Sequence, residues 1–348
     1  MKENLTSEGK NKLYKMKIRK MLAKEYFVLN LSLLIMLPFS IFGCGNTNTT
    51  SSEPISTQNT GYEVVDDHGT LLKFTEKPKR IYATTISLEE ILVELVPPER
   101  IAAISEPALE QDNSLIVNKA MKVAVRVPQH VSVEQLLKLH PDLVIAQETN
   151  AKEYVQSLKD VGFKVFVSKV PVTAEQVKKR IRNMAIAVGE KEKGDQMLAA
   201  FDTKLKRIHA VVDKIPAKKV IMAYSPLGVF GSSKGIFHAI CTEAGVINGA
   251  AEAGLTRGEH LSKEKIIAVN PDVLLFPSDT PSQGGDMQGV MEEVRHDPAL
   301  KQIKAVQNNC YVYTKDRYRY AASQYFADAA LLIAKGVYPE YFKSVPPV

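Results

Sequence analysis

The chain has 348 residues, of which 45% are hydrophobic and 24% are charged. This is ordinary globular composition, and it excludes a wholly disordered chain and a collagen-like fibre. Three cysteines in a chain of this length also exclude a small domain held together by disulfides. The length exceeds that of one ordinary domain and suits two. The net charge of +6 would suit an anionic partner, such as nucleic acid or a membrane surface, depending on where the charge lies.

The first 43 residues have the pattern of a secretory signal peptide. They contain eight of the 45 basic residues and three of the 39 acidic residues, and they include a mostly apolar run from Phe27 to Phe42. Asn30 and Pro38 interrupt this run, which is short for a stable membrane span. The rest of the chain therefore holds 37 basic and 36 acidic residues, a net charge of +1. The basicity belongs to the export signal, so it does not indicate nucleic-acid binding.

Ile41-Phe42-Gly43-Cys44 resembles a bacterial lipobox, in which the cysteine thiol is lipidated and becomes the first mature residue. The alternative is an uncleaved anchor helix that ends in a free cysteine. We predict a signal peptide over 1–43, starting at Met1, Met16 or Met21, with lipidation at Cys44. The Ser-, Thr- and Asn-rich residues that follow predict a flexible tether over 44–60. The protein is then expected to be extracytoplasmic and anchored to the cell membrane by its lipid.

The other two cysteines, Cys241 and Cys310, each lie among apolar residues. In an oxidising compartment they are either two separate buried thiols or one disulfide. Both alternatives stay open at the level of the sequence.

A pattern of 15 residues occurs twice, at an offset of 130 residues. Val131–Ile145 recurs as Leu261–Leu275, with Ser, Glu, Pro and Asp in register and every apolar position matched in type. Each copy predicts a helix whose N-cap is the serine and which ends before the proline, followed by a short buried strand. Such a repeat indicates two halves with related architecture.

Further elements flank the two copies. The predicted strands are 80–83, 143–146, 164–167, 219–223, 273–276 and 311–313, and the predicted helices are 88–95, 154–161, 236–244 and 291–306, the last broken near Pro298. Between the halves, apolar residues at helical spacing from Ala174 to Ile215 predict a long helical segment, with Gly189 and Gly194 indicating a break. Alternating strands and helices predict parallel sheets covered on both faces.

We therefore predict an α/β fold with two Rossmann-like lobes, each with a parallel sheet, joined by a single long helix. The N-terminal lobe is expected over 61–172, the connecting helical segment over 173–215 and the C-terminal lobe over 216–348. Two facing lobes make a cleft, and ligands of such sheets collect beyond the carboxyl ends of the strands.

Several motifs, taken in order, match one family. They are Asp66-Asp67-His68-Gly69, Lys77-Pro78-Lys79-Arg80-Ile81, the two repeat copies, Gly231-Ser-Ser-Lys-Gly-Ile-Phe237, and Ala305-Val-Gln-Asn-Asn309 before a Tyr-Val-Tyr strand. From about Tyr62 to near the C-terminus, the chain resembles the substrate-binding lipoproteins of bacterial ABC importers, in the class that serves iron-siderophores, haem and cobalamin.

The resemblance implies a monomeric binding protein without catalysis or an intrinsic cofactor, which passes an iron- or cobalt-chelate ligand to an ABC permease dimer and its ATPase. In that family a glutamate on each lobe engages arginines of the permease, and the matching positions here are Glu134 and Glu264. The alternative for each glutamate is that it only complements the dipole of its helix.

Candidate ligand-binding residues follow the predicted strands. We name Thr84, Thr85, Tyr224, Ser233, Arg257, Arg319 and Tyr320, from a wider set that also holds Ser87, Glu106, Gln147, Glu148, Ser225, the Gly231–Gly235 loop, Ser278, Arg317 and Tyr318. Arginine binds carboxylates or phosphates in a bidentate manner, and tyrosine offers a flat apolar ring with a polar tip. This mixture suits an anionic metal chelate or the propionates of haem.

Three other functions compete with this interpretation. A binding protein for a free transition-metal ion needs convergent ligands, whereas the seven histidines are scattered and His238 and His260 alone lie near the predicted pocket. We therefore predict no protein metal site. A cell-surface adhesin or signalling receptor on the same scaffold also remains open.

The third is a secreted serine hydrolase. Gly231-Ser-Ser-Lys-Gly235 fits the pattern Gly-x-Ser-x-Gly, with Ser233 as nucleophile, Asp272 or Asp286 as acid and His296 as base. However, no oxyanion segment of the His-Gly-Gly type precedes the motif, which lies several residues beyond its strand.

Overall fold

The computed structural model describes residues 61–225, 228–256, 259, 261–278 and 286–343, and the structural statements below refer to these ranges. The predicted signal peptide and tether, with Cys44, lie outside the described residues, as do Arg257 and His260. Within the described ranges, no helix combines the length and the apolar character needed to cross a bilayer.

The N-terminal lobe begins with a β-hairpin and continues as alternating strands and helices. Its elements are β1 (Tyr62–Val65), β2 (Leu71–Phe74), β3 (Ile81–Ala83), α1 (Ile86–Leu95), β4 (Ile104–Ser105), α2 (Val117–Ala120), β5 (Arg126–Val127), α3 (Val133–Leu139), β6 (Leu143–Gln147), α4 (Lys152–Asp160) and β7 (Val165–Ser168). The strands β3, β6 and β7 pair in parallel in that order, and β4 pairs in parallel with β5. The predicted parallel sheet is therefore confirmed here.

Two helices follow, α5 (Ala174–Ala187) and α6 (Lys191–Val212). The chain turns between them at Gly189, whose φ of 74° is easily adopted by glycine. The predicted break between two helices is confirmed at Gly189, whereas Gly194 lies inside α6. There the missing side chain lets α6 approach Ala185 of α5, since a Cβ at Gly194 would collide with the Ala185 methyl group.

The long helix α6 contacts both lobes. Its 22 residues extend over about 33 Å. Near its start, the Lys193 ammonium donates to the Leu95 carbonyl of the N-terminal lobe, at 2.9 Å. Further along, the Lys204 ammonium donates to the Asp328 carboxylate of the C-terminal lobe, at 2.5 Å. The helix therefore ties the lobes together along its length.

The C-terminal lobe repeats the alternation. Its elements are β8 (Val220–Ser225), β9 (Gly228–Phe230), α7 (Ile236–Glu243), β10 (Ile247–Asn248), α8 (Gly249–Glu252), α9 (Lys263–Val269), β11 (Val273–Pro277), α10 (Met287–His296), α11 (Lys304–Gln307), β12 (Tyr311–Thr314), α12 (Asp316–Arg319) and α13 (Phe326–Val337). The order β10-β8-β11-β12 is parallel throughout, and β9 adds to β8 antiparallel. The helix predicted over 291–306 is two helices, α10 and α11, with the break near Pro298 as predicted.

The two copies of the repeat form the same local structure. Ser132 and Ser262 are the N-caps of α3 and α9, and each hydroxyl accepts a hydrogen bond from the backbone N–H three residues on. The helices end at His140 and Asn270, both in the left-handed conformation, with φ of 46° and 50°. The prediction of matching caps and ends is confirmed.

The repeated aspartates tie each copy to the neighbouring strand. The Asp142 carboxylate accepts from the backbone N–H groups of Lys79 and Arg80, just before β3, at 2.6 and 3.0 Å. The Asp272 carboxylate accepts from the Val220 N–H, at the start of β8, at 2.8 Å. The same kind of contact therefore fixes the start of the strand that comes first in the parallel sheet of each lobe.

The lobes share one continuous apolar core. Buried residues of β3 and α1, of the connecting helices, and of β8 and α13 belong to a single cluster. Phe201 of α6 stacks on Phe326 of α13, with ring centroids 5.8 Å apart. Because interior packing resists deformation, this arrangement favours lobes that hold a fixed separation.

Candidate ligand cleft

A cleft of about 800 Å³ lies between the two lobes, which is within the usual size range of small-molecule sites. It opens at the carboxyl ends of the parallel strands, as predicted. Its lining residues are Gln147, Thr149, Val170, Val172, Ser225, Val229, Phe230, Gly231, Ser232, Lys234, Gly235, Ile236, Phe237, Leu255, Thr256, Glu259, Arg319 and Tyr320.

The N-terminal wall of the cleft follows β6 and β7. Gln147 ends β6 and Thr149 follows it, while Val170 and Val172 follow β7. The Thr84 hydroxyl accepts from the Gln147 N–H at 3.1 Å, which holds the end of β6 in place from the neighbouring strand. This wall thus offers an amide, a hydroxyl and two aliphatic side chains.

The C-terminal wall is aromatic. The Phe230 ring stacks on Tyr320 at 5.8 Å between centroids and lies tilted against Phe237 at 5.0 Å. These rings are contributed by the end of β9, the start of α7 and the turn after α12. Three neighbouring rings provide a broad apolar surface with the Tyr320 hydroxyl at one side.

Arg319 supports this aromatic wall from behind. Its side chain is 1% exposed, and its guanidinium lies 4.4 Å from the centre of the Phe230 ring. One guanidinium nitrogen donates to the Tyr224 carbonyl at 2.6 Å, and another forms a buried ion pair with Asp316. Most of the binding capacity of Arg319 is therefore directed at the protein itself, which stiffens the wall.

The glycine-rich loop from 231 to 235 forms the rim of the cleft. Gly231 has φ of 113°, and a Cβ there would lie 2.8 Å from the Phe237 ring. The Asn248 amide donates to the Gly231 carbonyl at 2.7 Å and fixes the loop. Ser232 and Lys234 line the cleft, whereas Ser233 is exposed and lies between them, outside the lining.

The structure brings together some of the named candidates and separates others. Arg319 and Tyr320 line the cleft. Thr84 and Thr85 lie behind Gln147, and the Thr85 hydroxyl is 3.5 Å from the Gln147 side-chain oxygen. Both threonines therefore support the wall and do not form its surface.

Tyr224 is placed differently from the expectation. It is 4% exposed on the central strand β8, where its ring stacks on Phe276 at 5.4 Å. Burial raises the pKa of its phenol well above the usual range. Its side chain points into the core of the lobe because strand residues alternate between the two faces of the sheet.

The sequence pointed to Tyr320 but not to the other two rings of the aromatic wall, Phe230 and Phe237, nor to Thr149 of the polar wall. Phe230 and Phe237 flank the glycine-rich loop, and Thr149 follows Gln147 by two residues. The sequence could have indicated these three residues, because each lies within two residues of a candidate strand end or of the candidate loop. Among the wider candidates, Gln147, Ser225 and the residues of the 231–235 loop other than Ser233 line the cleft.

The proposed hydrolase triad is not assembled in the described residues. The Asp272 carboxylate accepts from Val220, Asp286 caps α10 through the Gly289 N–H, and the His296 imidazole is bonded to the Glu292 carbonyl. Since Ser233 takes part in none of these hydrogen bonds, the Gly-x-Ser-x-Gly pattern here forms a loop and not a nucleophile elbow.

The cysteines and histidines also have defined surroundings. Cys241 and Cys310 are free thiols, and Cys241 is buried, so that burial raises the pKa of its thiol far above the usual value. His238 is half-buried on α7, with its Nδ1 atom inside the protein. Across the described ranges, no three side chains of His, Cys, Asp or Glu are grouped in a way that would hold a metal ion.

The two repeated glutamates are exposed in the first turns of α3 and α9. Each of these helices runs back along its sheet to the strand that follows, so its N-terminus lies at the edge where the parallel strands end. The backbone N–H of Glu264 and the Ser262 hydroxyl hold the pKa of the Glu264 carboxyl below its usual value. Both carboxylates are thus exposed groups on the cleft side of the molecule.

Comparisons with known proteins agree with this architecture. The profile of a family described as "Periplasmic binding protein" matches residues 81–318. The chain is 22% identical over 320 residues to YvrC, an uncharacterised ABC transporter substrate-binding lipoprotein of Bacillus subtilis (strain 168), covering 89% of this chain and 96% of that protein. It is 21% identical to the Fe(3+)-citrate-binding protein YfmC of the same organism, covering 82% of this chain and 88% of that one.

Among solved structures, the chain is similar to the apo form of the periplasmic heme-binding protein RhuT from Roseiflexus sp. RS-1. The TM-score is 0.64 at 21% identity, covering 75% of this chain and 98% of that one. This likeness shows that the two-lobed fold is shared.

Proposed function

The chain belongs to the periplasmic binding protein family, and on that basis we propose that it is an extracytoplasmic lipoprotein that captures an iron-chelate-type ligand and delivers it to an ABC permease. The ligand is a siderophore, haem or a corrinoid. The observation that carries the proposal is the cleft of about 800 Å³ at the carboxyl ends of the strands, with an aromatic wall facing a polar one.

The chemistry of the cleft suits the organic shell of a chelate. Phe230, Phe237 and Tyr320 offer ring faces to a flat or apolar surface, while Gln147 and Thr149 offer hydrogen bonds to oxygen atoms. The names of two similar proteins, one for Fe(3+)-citrate and one for heme, also point to complexed metal.

Calorimetry on a soluble chain that begins at residue 45 tests the proposal. Ferric citrate, a ferric trihydroxamate, haemin and cyanocobalamin are titrated separately into the purified protein. We expect one of them to bind with a stoichiometry of one. Phe230→Ala should weaken that binding by at least tenfold, whereas Tyr341→Ala, at an exposed tyrosine outside the cleft lining, should not. The proposal fails if the folded protein binds none of the four.

Lipid attachment at Cys44 is part of the same proposal. Metabolic labelling with an alkyne fatty acid should mark the full-length protein in its bacterial host, and Cys44→Ser should remove the label and release the protein from the membrane fraction. Cys310→Ser is the matched control, since it changes a cysteine that we do not assign to lipidation. Retention of the label in Cys44→Ser would overturn the assignment.

We propose that the protein has no catalytic step, in keeping with a family of transport proteins. Wild type and Ser233→Ala should release p-nitrophenol from an ester at the same background rate. Release that depends on Ser233 would contradict this and would favour the hydrolase.

A further inference from the structure

Arg180 is a buried cation on the helix that connects the lobes. It lies in α5, on the same face as Val177, Ile181 and Met184, and its side chain is 2% exposed. Burial lowers the pKa of its guanidinium to about 10, so the side chain remains charged at neutral pH. A buried charge needs compensation, and the partners of Arg180 show how this is provided.

In the described part of the structure, the hydrogen-bond acceptors of Arg180 are all neutral oxygen atoms. One terminal nitrogen donates to the Lys169 carbonyl at 2.5 Å and to the Gln147 side-chain oxygen at 3.4 Å. The other donates to the Ser87 hydroxyl at 3.2 Å and to the Ala322 carbonyl at 3.3 Å. The guanidinium therefore contacts the N-terminal lobe and the C-terminal lobe at once.

The carboxylates that act on Arg180 electrostatically are bonded elsewhere. Asp67 pairs with the Lys179 ammonium at 3.1 Å, and Glu148 accepts from the Val170 N–H at 2.8 Å. Within the described ranges no carboxylate oxygen lies within 4.0 Å of the guanidinium nitrogens. The guanidinium is thus hydrogen-bonded to neutral dipoles, two of which belong to Gln147 and Lys169, while the two carboxylates act on it from a longer distance.

Gln147 links this charge to the cleft. Its side-chain oxygen faces Arg180, and the hydroxyls of Thr85 and Ser87 lie 3.5 Å from the same oxygen. This arrangement fixes the amide, so that the amide nitrogen points the other way and donates to the Thr149 hydroxyl oxygen at 2.8 Å.

Thr149 is the last member of this chain of hydrogen bonds. Its oxygen accepts from Gln147, and in the described part of the structure its hydroxyl hydrogen has no acceptor. Both Thr149 and Gln147 line the cleft. The hydroxyl therefore presents a donor to the cleft, polarised by a cation through two consecutive hydrogen bonds.

We infer that Arg180 is a positioning residue that fixes the Gln147 amide and presents the Thr149 hydroxyl as a donor, so that the cleft selects ligands with a carboxylate or other strongly accepting oxygen. This inference rests on the proposed function in one respect, namely that the cleft is the ligand site. It adds a specific subsite on the polar wall, opposite the aromatic rings.

Binding of carboxylate-bearing probes tests the subsite. Ferric citrate and haemin are each titrated into the soluble chain and its variants by calorimetry. For the probe that binds, Thr149→Val, Gln147→Leu and Arg180→Met should each weaken affinity by about tenfold. The double variant Arg180→Met with Thr149→Val should be no weaker than Thr149→Val alone, because all three act through one hydroxyl. Unchanged affinity in Thr149→Val, or losses that simply add, would overturn the proposal.

Arg182→Met is the matched control, since it removes an exposed arginine from the same helix. It should leave affinity at the wild-type value. Arg180→Lys retains the charge and should recover part of the affinity lost in Arg180→Met, while circular dichroism and thermal unfolding confirm that each variant is folded.

A second measurement needs no ligand. In NMR spectra of the labelled soluble chain, the side-chain amide protons of Gln147 should shift and exchange faster with solvent in Arg180→Met, but not in Arg182→Met. Unchanged Gln147 resonances in a folded Arg180→Met variant would overturn the positioning role. If wild type binds no chelate, the proposed function fails. The Gln147 resonances still test whether Arg180 positions the Gln147 amide, because they are measured without ligand.

Discussion

The Ser323 hydroxyl donates a hydrogen bond of 2.5 Å to the Glu90 carboxylate, and both residues are buried. Glu90 belongs to α1 of the N-terminal lobe, whereas Ser323 lies between α12 and α13 of the C-terminal lobe. The Gln324 amide also donates to the Glu90 carbonyl at 2.8 Å, and Arg180 reaches the Ala322 carbonyl. Three consecutive residues of the C-terminal lobe, from 322 to 324, are thus hydrogen-bonded to Arg180 or Glu90, which lie outside that lobe.

The first prediction concerns the pH dependence of stability. Burial raises the pKa of Glu90 to about 7, against the opposing hydrogen bond from Ser323, while Glu89 nearby adds to the rise and Arg317 opposes it. The folded state therefore binds a proton that the unfolded chain has lost between pH 4.5 and 7, so this group makes the protein less stable as pH rises through that range. Across that range, the titration of Glu90 lowers the free energy of unfolding by about 3 kcal/mol.

Glu90→Gln should therefore reduce the loss of unfolding free energy between pH 5 and pH 8, measured by urea denaturation at intervals across that range. Part of the loss should remain, because burial also raises the pKa of Glu89 to about 7. Glu99→Gln, at an exposed glutamate just beyond α1, should keep the wild-type dependence. An unchanged slope in Glu90→Gln would show that Glu90 does not titrate in this range.

Local signals in the sequence were enough to place most elements. The repeated serines, prolines and aspartates specify caps, helix ends and strand starts through contacts within a few residues or with the adjacent strand. Apolar runs such as 143–146 were enough to identify buried parallel strands.

The site was harder, because its geometry depends on long-range contacts. Arg180 meets Ala322 across 142 residues, and the sequence shows only an arginine on the apolar face of a helix. The sequence correctly predicts that the segment leading to Tyr224 forms a strand, but the Tyr224 side chain faces the core and not the cleft. Which face of the sheet a side chain takes depends on the register of the whole strand and not on the residue alone. The aromatic wall likewise forms only when β9, α7 and α12 come together.

The second prediction tests docking to the permease. Replacing both Glu134 and Glu264 by alanine should abolish uptake of the ligand into cells while leaving its affinity for the purified protein unchanged. Both carboxylates are exposed at the cleft-side ends of their helices, where they suit charge-assisted bonds to arginines on a twofold partner. Uptake of labelled ligand and calorimetry are the two measurements.

The matched control for docking is Glu153→Ala, which removes an exposed glutamate from the first turn of α4 in the same lobe as Glu134. This variant should transport normally. Normal uptake by the double variant would show that the glutamates serve only to complement their helix dipoles.

The third prediction concerns the two thiols. In the native soluble chain that begins at residue 45, Ellman's reagent should react with Cys310, which is half-buried, and should reach Cys241 only after denaturation. Burial and the raised pKa keep the Cys241 thiol protonated and inaccessible. One thiol should therefore be counted before unfolding and two after it.

Cys310→Ser should abolish the native reaction, and Cys241→Ser should leave it intact. If the oxidised protein shows no thiol even in denaturant, the two cysteines form a disulfide, contrary to the structure.

The fourth prediction concerns the ion pair behind the aromatic wall. Asp316 and Arg319 are both 1% exposed and one turn apart in α12. Asp316→Ala should lower the free energy of unfolding by about 3 kcal/mol, because it leaves the Arg319 cation buried without its counter-charge. Urea denaturation at neutral pH measures the loss, and Asp112→Ala, at an exposed aspartate, should cost less than about 0.5 kcal/mol.

Asp316→Ala should also weaken ligand binding, because the Arg319 guanidinium lies 4.4 Å from the centre of the Phe230 ring, which forms part of the cleft wall. Asp316→Asn separates the two effects, because the amide oxygen still accepts a hydrogen bond from Arg319 while the charge is lost. We expect it to destabilise the fold less than Asp316→Ala and to retain more affinity. Equal stability of wild type and Asp316→Ala would show that the Tyr224 carbonyl and the Phe230 ring are sufficient to stabilise the buried Arg319 cation.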